Sequence, residues 1–248
     1  MYRINVVALL PELVRPVCEH GVVGRAAASG LVAVDFTNPR DFVHDRHRTV
    51  DDRPYGGGPG MVLKYEPLRD AVRAARATLP GETRAVLLAP HGRVLDQGYA
   101  RELSQAAGLV LVAGRYEGVD ERLVAEVNEV LSLGDYVLSG GELAAAVVID
   151  ALVRLLPGAL GHEASASEDS FWDGLLDYPH FTRPETVDGM SVPDVLLGGN
   201  HEAIRRWRLQ QALGRTWQRR PDLLRRRRLT DEERALLEAF QKAHPDRD

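Results

Sequence analysis

Three glycine-punctuated stretches hold the residues best placed to do chemistry. The central one runs Leu131-Ser132-Leu133-Gly134-Asp135-Tyr136-Val137-Leu138-Ser139-Gly140-Gly141-Glu142. It follows an apolar strand-like run and opens an apolar helix-like run. Glycines at such a junction let backbone N–H and C=O groups approach a ligand closely. Upstream lies Gly114-Arg115-Tyr116-Glu117-Gly118-Val119-Asp120-Glu121-Arg122. Downstream lies Gly158-Ala159-Leu160-Gly161-His162-Glu163-Ala164-Ser165-Ala166-Ser167-Glu168-Asp169-Ser170-Phe171. The three read as parts of one composite site.

Charge adds a second theme. The net charge of −5 conceals an asymmetry: residues 161–200 hold eight acidic residues and one basic one, whereas residues 201–228 hold ten arginines against Glu202 and Asp222. The second segment is basic enough to meet a polyanion despite the acidic total. The competing reading is a solvated helix face that pairs with the acidic segment before it, and charge alone leaves both open.

Positioning these residues requires an alternation of strands and helices. Tyr2–Leu10, Leu31–Thr37, Arg84–Ala89, Leu109–Ala113 and Val127–Leu133 read as strands. Glu66–Leu79 and Asp96–Ala107 have helical spacing, Asp120 can cap a short helix to Glu126, and Glu142–Leu156 reads as a buried helix stopped by Pro157-Gly158. This pattern predicts an α/β domain with a mostly parallel sheet flanked by helices. Residues 157–175 are polar and rich in small residues. Beyond them the reading is a smaller, all-helical domain: a helix from His201 to about Trp217 capped by Asn200, a short one from Pro221, and a last one to His244 opened by the capping box Thr230-Asp231-Glu232-Glu233. The expected division is 1–160, a flexible linker at 161–175, and 176–248.

Several function classes drop out. A single cysteine, Cys18, allows no intrachain disulfide and no cysteine-rich zinc site, and no run reaches membrane-spanning length. A cytoplasmic location is expected. No dinucleotide fingerprint, phosphate loop or nucleophile elbow is present, and His162-Glu163 lacks the second histidine of a zinc-protease helix.

The three stretches, with Tyr55-Gly56-Gly57-Gly58-Pro59-Gly60-Met61, Tyr178-Pro179-His180-Phe181-Thr182-Arg183-Pro184, Gly199-Asn200-His201 and Arg206-Trp207-Arg208, resemble those of bacterial tRNA (guanine-37-N1)-methyltransferases. This is the TrmD family of the trefoil-knotted SPOUT methyltransferases. The similarity continues through Leu213-Gly214-Arg215-Thr216-Trp217 and Arg219-Arg220-Pro221 and so covers nearly the whole chain. It implies a trefoil-knotted domain that binds S-adenosylmethionine, a helical domain that holds tRNA with guanosine at position 37, and a homodimer whose active sites lie at the subunit interface.

By that resemblance the donor is held by Gly114, Tyr116, Leu133, Gly134, Asp135, Tyr136, Val137, Leu138, Gly140 and Gly141, with Leu87, Leu88, Ala89 and Pro90 as another wall. Asp169 is the expected general base for the guanine N1 proton. Arg154 is expected to stabilise negative charge on O6, and Glu117 to position the substrates. Gly56, Pro59, Gly60 and Ser165 would meet the base, and Arg205, Arg206, Arg208, Arg215, Arg219 and Arg220 the phosphates. Arg225, Arg226, Arg227 and Arg228 form a run less typical of the family. Mg2+ is implied with substrate, although the sequence offers no dedicated carboxylate cage. Ala144 stands where the family often has proline, and Ala89-Pro90-His91 where many members have Ser-Pro-Gln. A non-catalytic RNA-binding protein on this fold, or a knotted RNA ribose 2′-O-methyltransferase, is the alternative reading.

Overall fold

Short apolar runs build the first part of the chain, in the order β1 (Tyr2–Val7), α1 (Arg15–Glu19), α2 (Gly21–Ala28), β2 (Val32–Thr37), the antiparallel pair β3 (Asp51–Asp52) and β4 (Val62–Leu63), α3 (Tyr65–Ala77), β5 (Arg84–Val94), α4 (Gln97–Ser104), β6 (Leu109–Ala113), a 3-10 helix at Glu121–Glu126, β7 (Glu129–Ser132) and α5 (Gly141–Val153). The computed structural model describes residues 1–161 and 169–245. The chain divides into two compact units, Met1–Glu163 and Ala164–Asp248.

Five strands of the first unit form one parallel sheet in the order β2-β1-β6-β5-β7. Successive side chains of a strand point to opposite faces, and here both faces are covered. Ile4, Val6, Val86, Leu88, Leu109 and Leu111 enter one apolar cluster with residues of α2, α4 and α5. Val7, Ala85, Leu87, Val110 and Val112 enter a second cluster with Leu68, Ala71, Val72 and Ala75 of α3. Burial on both sides explains why these strands read as nearly continuous apolar runs.

β5 is the point where the topology reverses. From β5 the chain passes through α4 to β6 on one side, then through the 3-10 helix to β7 on the other. In open α/β sheets the carboxyl ends of strands at such a reversal form a ligand crevice. β5 also extends past the expected Arg84–Ala89. It pairs with β7 through Leu88↔Leu131, bulges over Ala89 to Gly92, and pairs again at Arg93↔Leu131 and Val94↔Ser132. Pro90 sits in this bulge, where a missing N–H costs no ladder bond. A Cβ on Gly92 would lie 2.5 Å from the Leu131 nitrogen, so the bulge closes only over glycine.

Among the described residues of the second unit the helices are α6 (Asp194–Leu197), α7 (His201–Arg219), α8 (Pro221–Arg225) and α9 (Asp231–Ala243). Asn200 caps α7 by accepting from the Ala203 N–H at 3.1 Å, and Thr230 and Glu233 form the capping box of α9. Leu175, Ala212, Leu213 and Leu236 make the core. Thr216 is buried between segments, accepting from the Leu176 N–H and donating to the Ala212 carbonyl. This unit also contains a hairpin, β8 (Thr186–Val187) and β9 (Met190–Ser191), absent from the all-helical expectation. Asp188 and Gly189 both have positive φ, the conformation a two-residue hairpin turn requires. Each strand is too short to give a periodic signal. Among the described residues no helix is long and apolar enough to cross a membrane.

Gly92→Ala is expected to lower unfolding free energy by about 1–3 kcal/mol, because the contacting atoms are backbone and cannot swing away. Gly161 faces open space at an ordinary φ, so Gly161→Ala should shift stability by no more than about 0.5 kcal/mol. Urea titration of the two variants checks the pair.

Candidate active site

Three loops leave the carboxyl ends of adjacent strands β6, β5 and β7 and converge. After β6 comes Gly114 to Glu121, where the first pairing of β5 with β7 ends comes its bulge at Ala89 to His91, and after β7 comes Leu133 to Ser139. They enclose a pocket of about 320 Å³, within the range of small-molecule sites. Leu87, Leu88, Leu131, Leu133 and Leu138 give it apolar walls, while Gly114, Gly134, Gly140 and Gly141 bring backbone to its surface. A flat heterocycle suits such walls, and free backbone N–H and C=O groups suit its polar edge.

The loops are locked by direct backbone contact. The Gly141 N–H donates to the Gly114 carbonyl at 2.7 Å, and Arg115 bridges Gly140 in antiparallel fashion. A Cβ on Gly141 would lie 2.7 Å from the Ala113 Cα, so α5 can begin here only with glycine. Tyr116, in the middle of the β6 loop, has φ +61°. For a bulky residue that conformation stores about 1–3 kcal/mol and persists only where the surroundings impose it. They do: Glu117 N–H donates to Met61 O, and Leu63 bonds to Gly118 and Asp120 on either side of Val119.

One charged pair lies under the pocket. The Glu142 carboxylate is fully buried and accepts from Arg115 Nε at 2.8 Å and from the Leu10 N–H at 3.3 Å. Its Oε2 has no hydrogen-bond partner among the described residues. Arg115 is thereby held against Gly140, and three separate segments are tied at one carboxylate. Arg122 pairs with Asp120 instead, and that guanidinium holds the Asp120 carboxyl below the usual carboxylate range. Neither arginine pairs with Glu117, which both could have neutralised. The Glu117 side chain lines the pocket and occupies the space a Cβ on Gly60 would need.

Of the residues expected at the donor site, Leu87, Leu88, Ala89, Pro90, Gly114, Tyr116, Leu133, Gly134, Tyr136, Val137, Leu138, Gly140 and Gly141 line this pocket, and Asp135 does not. Glu117 joins them, with Gly60 against it. Gly56 and Pro59 lie in the exposed loop before Gly60. Arg154 ends α5 as its C-cap and is not part of the pocket lining. Asp169 belongs to the second unit, where it borders a cleft with His201, Arg205 and Arg208. Ser165, like Glu168, lies outside the described residues. Sequence reasoning missed the Arg115–Glu142 pair. Both residues sit in the stretches singled out, yet they are 27 positions apart and nothing local couples them.

The arginines divide by partner. Arg205 pairs with Glu202 and Glu232, which places Glu202 below the usual carboxylate range. Arg206 reaches Glu232 at 3.8 Å, Arg220 pairs with Asp222, and Arg227 pairs with Asp173 and Glu233. Arg215 donates to the Asp177 carbonyl and Arg208 lies over the Tyr178 ring, while Arg219 is exposed.

A family model described as tRNA (Guanine-1)-methyltransferase TrmD matches residues 2–226. The chain belongs to this family. It is 60% identical over 241 residues to a tRNA (guanine-N(1)-)-methyltransferase of Methylococcus capsulatus, covering 97% of this chain and 96% of the relative. Relatives with the same name from Aeromonas hydrophila (58% over 238 residues, 96% of each chain) and Cronobacter sakazakii (57% over 242 residues, 97% and 94%) agree. The match spans both units, so the pocket and the arginine-rich helix α7 both fall within the family's span.

Removing one partner of the buried pair leaves a desolvated charge. Glu142→Ala is therefore expected to cost about 3–5 kcal/mol. It should also lower thermal stability more than Arg122→Ala, whose pair is largely exposed. Thermal unfolding of the two variants side by side measures the difference.

Proposed function

We propose that this chain transfers the methyl group of S-adenosylmethionine to N1 of guanosine 37 in tRNA, beside the anticodon. The observation that carries the reading is the glycine-lined pocket at the carboxyl ends of β5, β6 and β7 in a member of this family. S-adenosylmethionine, when bound, supplies an electrophilic methyl group on a positively charged sulfur. Leu87, Leu133 and Leu138 would sandwich its adenine, and backbone groups from Leu133 to Leu138 would pair with the adenine edge. A tRNA substrate places the reaction in the cytoplasm. The crossing of the β7 loop with the β6 loop at Gly141 and Gly114 supports a trefoil-knotted path for the chain.

Asp169 is the general base. It takes the N1 proton, so the ring nitrogen becomes nucleophilic and no covalent enzyme intermediate is needed. Arg154 stabilises the negative charge that then spreads onto O6, for which a guanidinium is suited by charge and fork geometry. Glu117, fixed beneath Gly60, positions the reactants, and the loop Gly56–Gly60 packs against the displaced base. Arg206, Arg208, Arg215 and Arg219 meet phosphates. Arg205 and Arg220 must first exchange a carboxylate for a phosphate, so their contribution is smaller. Among the described residues no three His, Cys, Asp or Glu side chains converge as metal ligands, and no step is assigned to Mg2+.

A homodimer with shared active sites is supported by α5. This helix is apolar around most of its circumference, yet Leu143 and Val147 are each 49% exposed. Arg154 follows them at i+11 and i+7, on the same side after about three turns. Such a helix is normally covered all round. A second copy of the chain seated on this face would bring Arg154 into a shared site.

Two outcomes test this reading. Asp169→Asn should abolish methyl transfer to a tRNA transcript with guanosine 37, with S-adenosylmethionine affinity by calorimetry unchanged; retained turnover would remove Asp169 from the base role. Asp169→Asn and Arg154→Ala chains, each inactive alone, should regain about a quarter of parental turnover when mixed and re-assembled, because half the dimers then carry one intact site. No recovery would mean that both residues serve the same site from one chain.

A further inference from the structure

The second unit carries a cleft of about 540 Å³ in which the reading above uses Arg208 alone. Phe181 and Trp207 form its aromatic wall, with ring centres 6.4 Å apart and planes tilted by 52°. Phe181 remains 48% exposed on a loop, so its ring face is open to a ligand. Leu196, Leu197 and Ile204 complete the apolar lining. Arg183 and Arg208 stand in the same lining, and neither guanidinium has a carboxylate partner among the described residues. This sets them apart from Arg205, Arg220 and Arg227, which are tied to acidic side chains. Among the described residues Glu185 is the only carboxylate in the lining.

Aromatic faces beside two guanidinium groups without carboxylate partners among the described residues fit one ligand chemistry. A nucleobase released from its stack offers a π-face to the rings, and its flanking phosphates offer partners to the arginines. An apolar protein segment would satisfy the lining and leave the two cations without an anion, whereas each nucleotide brings a π-face and a phosphate together. We propose that this cleft is a second RNA subsite, which receives an unstacked base of the tRNA other than the one that is methylated. Phe181 and Trp207 stack that base, and Arg183 and Arg208 hold its phosphates. This inference rests on the tRNA reading above and deepens it: the arginine-rich unit grips a base as well as the sugar–phosphate chain.

The test uses the full chain and an unmodified tRNA transcript with guanosine 37, with dissociation constants measured by filter binding over a range of salt. Phe181→Ala should weaken tRNA binding about tenfold, with the salt slope and the calorimetric affinity for S-adenosylmethionine unchanged. Phe181→Tyr, which keeps the π-face, should bind like the parent, and Phe181→Leu, which keeps only apolar bulk, should not. Arg183→Ala should weaken binding and reduce the salt slope by about one. Parental tRNA affinity in Phe181→Ala, or full rescue by Phe181→Leu, overturns the subsite. So does a change in sedimentation with unchanged RNA affinity, which would assign the cleft to a second copy of the chain. If the parental chain binds the transcript but transfers no methyl group, the enzymatic reading fails while the subsite is still judged by these affinities.

Discussion

A single backbone hydrogen bond, from the Gly141 N–H to the Gly114 carbonyl, decides the shape of the candidate active site. It joins the loop after β6 to the start of α5, and the close approach depends on Gly141, where a Cβ would lie 2.7 Å from the Ala113 Cα. Everything around it follows. The Arg115–Gly140 bridge extends the contact, Glu142 secures Arg115 from below, and Tyr116 is forced into a conformation it would not choose alone. The pocket is thus made of pre-positioned backbone rather than mobile side chains, which limits the rearrangement needed when a ligand enters.

The same economy appears in the two-sided sheet. Because both faces of β1, β5 and β6 are packed, chemistry is confined to strand ends. The reversal at β5 gathers three of those ends together. The side chains proposed to act on substrate come from elsewhere in the sequence: Glu117 from the β6 loop, Arg154 from the far end of α5, and Asp169 from the segment after it.

Much of this was legible in the residues, and the reason differs by feature. Caps are local, so Asp120, Asn200 and Thr230 could be read from a few neighbours, and each accepts from a backbone N–H as expected. The pocket glycines stood out because strand, turn and helix signals met there, whereas their assignment to a donor came from the resemblance. Asp135 was part of the same assignment, and it is absent from the pocket lining. Strand order carries no local signal, and neither does the second pairing of β5 beyond its bulge, since Arg93 and Val94 do not continue an apolar alternation. The β8–β9 hairpin did advertise its turn through Asp188-Gly189, but two residues per strand leave no period to detect. The Arg115–Glu142 pair was invisible for a plainer reason, being a contact between distant segments.

Gly92 and Gly214 show how narrowly such packing constrains the gene. One presses on the β7 backbone, and the other faces the Phe240 ring where α7 and α9 meet. Every missense change of a glycine codon adds at least one carbon at the Cα. At these two positions the chain therefore has no conservative replacement to drift through, and only synonymous changes leave the two units as they are.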